Sequence, residues 1–203
     1  MKFPSGINIY AVSDSGFDHL AYFKQVITAG VDIIQFRDKY LSDCEFYEIA
    51  CQLRKLAAKY RKLFIINDRI DIAMAVDCDG VHLGSEDLPV NVGRKLLPSK
   101  IIGYSAHDFS SAVKACKQGA DYISVGPIFK SPTKKLLEPI PETEIQLIIQ
   151  KIKLPLVAIG GINLKNIVKV KEMGFKNVAV ISALKNSRDK KKVITKMRQI
   201  LEK

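Results

Sequence analysis

Short, continuous runs of apolar and β-branched residues recur along this chain with helical patterns between them. That alternation limits the possible folds more than any other feature. The runs stand at 7–12, 31–36, 63–66, 80–83, 101–104, 122–125, 156–159 and 178–181. None switches regularly between apolar and polar, so each reads as a strand covered on both faces, as in a parallel sheet. Helical stretches at 18–29, 43–60, 70–76, 90–97, 110–118, 142–151, 164–173 and 189–201 supply the crossovers. Ser42, ahead of Asp43 and Glu45, and Asn163, ahead of Leu164, are the expected N-caps, and Gly30, Gly119 and Gly174 the expected stops. A weak repeat marks the passage from helix into strand: Gly30-Val-Asp-Ile-Ile, Gly119-Ala-Asp-Tyr-Ile and Gly174-Phe-Lys-Asn-Val. Eight strand–helix units in 203 residues, with no linker between them, predict one compact (β/α)8 barrel domain over 1–203. An open doubly wound sheet is the competitor. Against it, the first strand lacks a Gly-x-Gly-x-x-Gly turn and no long connection marks a switch point.

Bulk properties exclude several classes. No apolar run approaches the roughly 20 residues a bilayer crossing needs, and the first residues lack signal-peptide character. Cys44, Cys51, Cys78 and Cys116 form no Cys-x-x-Cys pair and read as reduced thiols of a cytoplasmic protein. The formal charge of +11 fits nucleic acid, a polyphosphate substrate or simply a lysine-rich solvated surface. Aromatic residues do not interleave with the basic ones, which argues against a base-stacking groove.

In such a barrel, chemistry belongs at the C-terminal ends of the strands. Those ends carry Asp14, then Gln35 to Lys39, Asn67-Asp68-Arg69, Glu86-Asp87, Ser105-Ala-His107, Ser131 to Lys135, Gly160-Gly161-Ile162 and Ser182-Ala183. The strand starts, by contrast, read as ordinary turns. Arg37 and Lys39, two residues apart, would aim the same way and suit a diphosphate, unless Asp38 and Asp68 hold them in structural ion pairs. Asp68 and Asp87 follow neighbouring strands, which lie about 4.8 Å apart, so they could share one hard cation such as Mg²⁺. An acid–base pair, or a helix-capping role for Asp87, are the competing readings. Gly160-Gly161 before a helix exposes backbone N–H groups to a phosphate, with 181–183 as the partner loop. His82 reads as a core histidine; His107 as either a proton-transfer group or a helix-start residue.

Taken together, several motifs resemble the thiamine phosphate synthase family, whose sister branch comprises thiazole tautomerases. They are Gln35-Phe-Arg-Asp-Lys39, Ile66-Asn-Asp-Arg-Ile-Asp-Ile-Ala73, Asp79-Gly-Val-His-Leu-Gly84, Glu86-Asp-Leu-Pro89, Gly126-Pro-Ile-Phe129, Ala158-Ile-Gly-Gly-Ile162 and Ala179-Val-Ile-Ser-Ala183. The resemblance implies a Mg²⁺-dependent transferase joining hydroxymethylpyrimidine diphosphate to a thiazole phosphate. It places Gln35, Phe36, Arg37, Asp38, Lys39, Asn67, Ser105 and Lys134 around the pyrimidine diphosphate, with Arg37, Lys39 and Lys134 acting on the reacting group. Ser131, Pro132, Thr133, Gly161, Ile181 and Ser182 would surround the thiazole phosphate, and Asp68 and Asp87 would hold Mg²⁺. The stretch 136–141 departs from the family's glycine-bearing loop. Small-molecule substrates are the expected partners, without nucleic acid or membrane, and a homodimer is compatible. A tautomerase, a non-catalytic phosphate-binding barrel and a basic nucleic-acid binder are the other readings.

Overall fold

Eight parallel strands pair in chain order and close into a barrel in the computed structural model, which describes residues 2–130 and 138–202. The strands are β1 (Ile9–Val12), β2 (Ile33–Phe36), β3 (Leu63–Asn67), β4 (Gly80–Leu83), β5 (Ile101–Ala106), β6 (Tyr122–Val125), β7 (Leu156–Ile159) and β8 (Asn177–Val180). The closing pair is β1 with β8, Tyr10 beside Ala179. The crossovers are α1 (His19–Ala29), α2 (Asp43–Lys59), α3 (Ile70–Ala75), α4 (Val90–Leu96), α5 (Phe109–Lys117), α6 (Glu142–Lys151) and α7 (Ile167–Glu172). A one-turn helix α8 (Ser182–Lys185), unexpected from the sequence, follows β8 and precedes α9 (Lys190–Glu202). The (β/α)8 barrel expected from the alternation is the fold, and no described helix is long and apolar enough to cross a membrane.

Burial on both strand faces explains the unbroken apolar runs. One core lies between strands and helices and includes Ala11, Ile34, Phe36, Ile66, Val81 and Leu83. A second fills the barrel with Tyr10, Val12, Ile33, Ile65, Ile101, Tyr122, Val157 and Ala179, and Phe3 covers Tyr122 with ring centroids 4.5 Å apart. Tyr122 crosses the interior above Gly103: a β-carbon there would stand 2.0 Å from its Cζ. Glycine at 103 is what lets that ring in.

Local signals set the helix limits. Ser42 forms a reciprocal capping box with Glu45, and Gly30 ends α1 in the left-handed region at φ 105°. Asn163 is not the cap of α7. That helix starts at Ile167, and Asn163 and Asn166 instead both donate from Nδ2 to the Gly161 carbonyl at 3.0 Å.

The strand starts differ from the ordinary turns expected. Ahead of β2, Asp32 accepts from the Ile9 N–H of β1 at 2.8 Å and pairs with Arg198. Ahead of β4, Asp79 accepts from Phe64 of β3 at 2.8 Å and pairs with Arg54. Ahead of β6, Asp121 accepts from Ile102 at 2.8 Å and pairs with Arg94. At the start of β8, Asn177 accepts from the Asn8 N–H at 3.1 Å. The weak sequence repeat is therefore one device used at every even-numbered strand. At β2, β4 and β6 a carboxylate ties the strand to its predecessor, and at β8 the Asn177 amide ties it to the residue ahead of β1, closing the base of the barrel.

Candidate active site

At the opposite end, a cavity with about 830 Å³ of empty space, its open mouth included, is lined by strand ends from around the ring. Period-two alternation brings Gln35, Asn67, His82, Ser105 and Ser124 to its polar wall, because each faces inward on its strand. Arg37, Gly161, Ile181 and Ser182 line it as well. Seven of the residues expected at the site thus meet in one space: Gln35, Arg37, Asn67, Ser105, Gly161, Ile181 and Ser182.

The loop after β1 braces the loop after β2 along its length. Ser13 Oγ accepts from the Arg37 N–H at 3.1 Å, Asp14 pairs with the Arg37 guanidinium, and Ser15 Oγ accepts from the Lys39 N–H at 3.0 Å. Asp38 is enclosed behind this contact. Its carboxylate accepts from Ser15 and from the Tyr40 and Leu41 N–H groups and meets His19 Nε2 at 2.9 Å. These partners outweigh burial and hold its pKa below the usual range. Asp38 is therefore a loop anchor that does not line the cavity, and the partner of Arg37 is Asp14 instead of Asp38 or Asp68. Phe36 is likewise corrected. One step out of phase with Gln35, it faces the helices, fully buried 4.1 Å from the Phe46 ring centroid.

Lys39, Asp68 and Asp87 do not line the cavity, but Asp68 follows Asn67, which does. Asp68 adopts φ 62°, a left-handed conformation that Asp tolerates better than most residues and that re-aims the chain sharply after β3. Its N–H is fixed by the His82 carbonyl at 2.9 Å. Burial first, then a hydrogen bond and like charge from Asp87, push its pKa up to about 7, while Lys39 and Arg37 pull it back. Two carboxylates and two cations therefore act on one another at this edge. Asp87 accepts from the Gly84 N–H at 2.6 Å and caps no helix, since the cap of α4 is Pro89.

This pair fits a divalent cation. Asp68, whose proton affinity the facing Asp87 raises, would exchange that proton for a hard ion. No group of three or more His, Cys, Asp or Glu converges among the described residues. Two protein ligands leave most positions to water and phosphate oxygens, which is the arrangement Mg²⁺ favours.

Across the mouth the chemistry is backbone. Gly160 and Gly161 have φ 102° and 64°, and a β-carbon at Gly161 would lie 2.5 Å from the Lys130 carbonyl. His107 also lines the cavity and donates from Nδ1 to the Gly126 carbonyl, leaving Nε2 as its other ring nitrogen. Val12, Ser124, Gly126 and Pro127 were not foreseen, because nothing in their local sequence separates a cavity wall from a core strand. The expected residues Ser131, Pro132, Thr133 and Lys134 lie outside the described residues.

Fold and site together define a (β/α)8 barrel with charged side chains at the mouth of its strand-end cavity. Residues 9–184 match the family model described as thiamine monophosphate synthase, and the chain belongs to that family. It is 38% identical over 203 residues to the thiamine-phosphate synthase of Pyrococcus horikoshii, covering all of this chain and 98% of that protein. The Prochlorococcus marinus subsp. pastoris thiamine-phosphate synthase is 44% identical over 185 residues, 91% of this chain; the match spans about half, 53%, of that longer relative. A solved thiamine phosphate pyrophosphorylase from Pyrococcus furiosus superposes with a TM-score of 0.88 at 36% identity, covering 97% of this chain and 96% of that one. A 3-hexulose-6-phosphate synthase, at 15% identity and a TM-score of 0.72, shares the fold alone.

Proposed function

We propose that this chain is a Mg²⁺-dependent thiamine phosphate synthase, joining hydroxymethylpyrimidine diphosphate to thiazole phosphate with release of pyrophosphate. The observation that carries the reading is the convergence of Arg37 and Lys39 on the Asp68–Asp87 pair, beside a cavity walled by Gln35, Asn67 and Ser105. A neutral sugar or an unphosphorylated ring gives no reason to gather two cations around two half-buried carboxylates.

The roles follow from charge. Breaking the bond between the pyrimidine's methylene carbon and the diphosphate oxygen moves negative charge onto the leaving group. Arg37 and Lys39, held by the loop after β1, stabilise that charge without having to reorganise. Asp68 and Asp87 would hold Mg²⁺, which when bound supplies further electrostatic stabilisation to the departing pyrophosphate. Gln35, Asn67 and Ser105 keep the ring in place while the thiazole nitrogen attacks the same carbon. Gly161 and Ser182 hold the thiazole's phosphate, and proximity of the two substrates supplies much of the remaining acceleration. No protein nucleophile is needed.

Purified protein incubated with both substrates should form thiamine phosphate in the presence of Mg²⁺ and lose at least about 100-fold of its rate after EDTA treatment. Isomerisation of the thiazole phosphate alone, indifferent to EDTA and dependent on His107, would assign the chain to the tautomerase chemistry instead.

A further inference from the structure

The formal charge of +11 is not spread over the molecule. Residues 1–150 carry 18 Lys and Arg against 18 Asp and Glu, whereas residues 151–203 carry 14 against 3. The whole excess therefore belongs to the last quarter of the chain, which supplies β7, β8 and helices α7 to α9. The barrel turns that bias in sequence into one in space. In a closed ring of eight strands in chain order, β3 stands opposite β7 and β4 opposite β8. The basic segment thus faces the Asp68–Asp87 edge from across the mouth.

The loops at the mouth differ accordingly. Those after β1 to β4 hold six carboxylates, Asp68 and Asp87 among them, against the three cations Arg37, Lys39 and Arg69. Those after β7 and β8, with the first turn of α9, hold Lys165, Lys185, Arg188, Lys190, Lys191 and Lys192 against Asp189 alone. Asp189 accepts from the Lys192 backbone N–H at 2.9 Å, and none of the six cations forms an ion pair among the described residues. Lys185 instead stands over the Phe17 ring, 4.1 Å from its centroid, and Lys190 Nζ donates to the Ser187 carbonyl at 3.0 Å. Like charges gathered without partners repel one another and add nothing to the fold. Their concentration at one rim points to an anion outside the protein.

We propose that the β7–β8 rim is a guiding surface for a small, metal-free phosphate dianion, the thiazole phosphate, and that charge divided across the mouth sorts the two phosphorylated substrates. This rests on the reading that Gly161 and Ser182 hold the thiazole's phosphate, and it adds how that phosphate finds its own side. A phosphate monoester carries about two negative charges at neutral pH. Lys165 follows Gly161 by four residues and Lys185 shares a one-turn helix with Ser182, so the positive potential is highest beside the phosphate loops. At the opposite rim carboxylates outnumber cations and repel a bare dianion, whereas a diphosphate accompanied by Mg²⁺ has two of its charges cancelled. Exposed charges reach about 30 Å in 0.01 M salt and about 10 Å in 0.1 M, so the guidance fades as salt rises.

The test is calorimetric binding of thiazole phosphate alone to wild type and to two triple variants that lose the same charge, both checked for folding by circular dichroism. One, Lys165→Gln/Lys191→Gln/Lys192→Gln, neutralises the rim; the other, Lys151→Gln/Lys153→Gln/Lys176→Gln, neutralises exposed lysines at the base end. Wild type should lose about tenfold in affinity between about 20 and 200 mM KCl. The rim variant should bind about fivefold more weakly at the lower salt and lose most of the salt dependence, while the base variant stays within about twofold of wild type. Pyrimidine diphosphate with Mg²⁺ should bind wild type and the rim variant alike. Equal weakening in both variants, unchanged affinity in the rim variant, no binding to wild type, or an equal loss for the diphosphate would overturn the proposal. Salt-dependent binding lost only in the rim variant, without thiamine phosphate formation, would leave the guidance standing and remove only the synthase reading. Product formed by a rim variant that binds like wild type would do the reverse.

Discussion

The two ends of this barrel use the same residue to opposite effect. At the base, Asp32, Asp79 and Asp121 each accept from a neighbouring strand's N–H and each pair with one arginine. At the mouth, Asp68 sits in a left-handed conformation against Asp87 and takes up protons far more readily than an ordinary carboxylate. The base spreads its negative charge over satisfied donors and gains stability. The mouth instead sets one carboxylate against another, which raises the proton affinity of Asp68. On the proposed reading, stability and function are divided between the ends of the same strands.

Breaking each end separately is the sharpest way to try this division. The largest effect belongs to Arg37→Ala, which should lower kcat/KM by about 10³-fold, near 4 kcal/mol of transition-state stabilisation, with the melting temperature hardly changed. Steady-state kinetics beside a thermal melt checks it. Asp79→Ala should do the reverse. It strands the Phe64 N–H and Arg54 at a buried position, costing about 3 kcal/mol in denaturant unfolding while kcat of the folded protein is kept. If both substitutions damaged rate and stability alike, the ends would not be independent.

Gly161→Ala tests the backbone side of the mouth. The new β-carbon meets the Lys130 carbonyl at φ 64°, so the KM for thiazole phosphate should rise about tenfold with a smaller change in kcat. The smallest effect is a gain. The pKa of Asp68 is raised on folding to about 7, so the folded protein binds the extra proton, and the associated stability is full below about pH 4 and lost as pH climbs through 7. Asp68→Asn removes that loss and tolerates the same backbone angle. Without metal at pH 8 it should melt roughly 2 °C higher than wild type, a gain on the order of 1 kcal/mol after solvent screening, with the difference shrinking as the pH falls and vanishing below about pH 4.

The fold was legible because burial on both faces writes itself as unbroken runs such as Gly80–Leu83 and Leu156–Ile159. Much of the cavity was legible too, since Gln35, Arg37, Asn67 and Ser105 end strands on polar groups where a core gains nothing. Phe36 and Asp38 were misplaced because a contiguous motif conceals alternation: only every second residue of an extended segment can face the same space. The carboxylates of the base went unrecognised for a different reason. An aspartate ahead of a strand looks like any turn residue until the partner strand, 15 to 23 residues away, supplies the N–H.

Gly103 carries a consequence for how such a protein can drift. The ring of Tyr122 already fills the space a side chain at 103 would require. The two positions therefore behave as one locus: enlargement at 103 becomes tolerable only in company with truncation at 122. That paired change would also remove the hydroxyl joining Tyr10 to His82, so a lineage that crossed this step would part those two side chains in the same stroke.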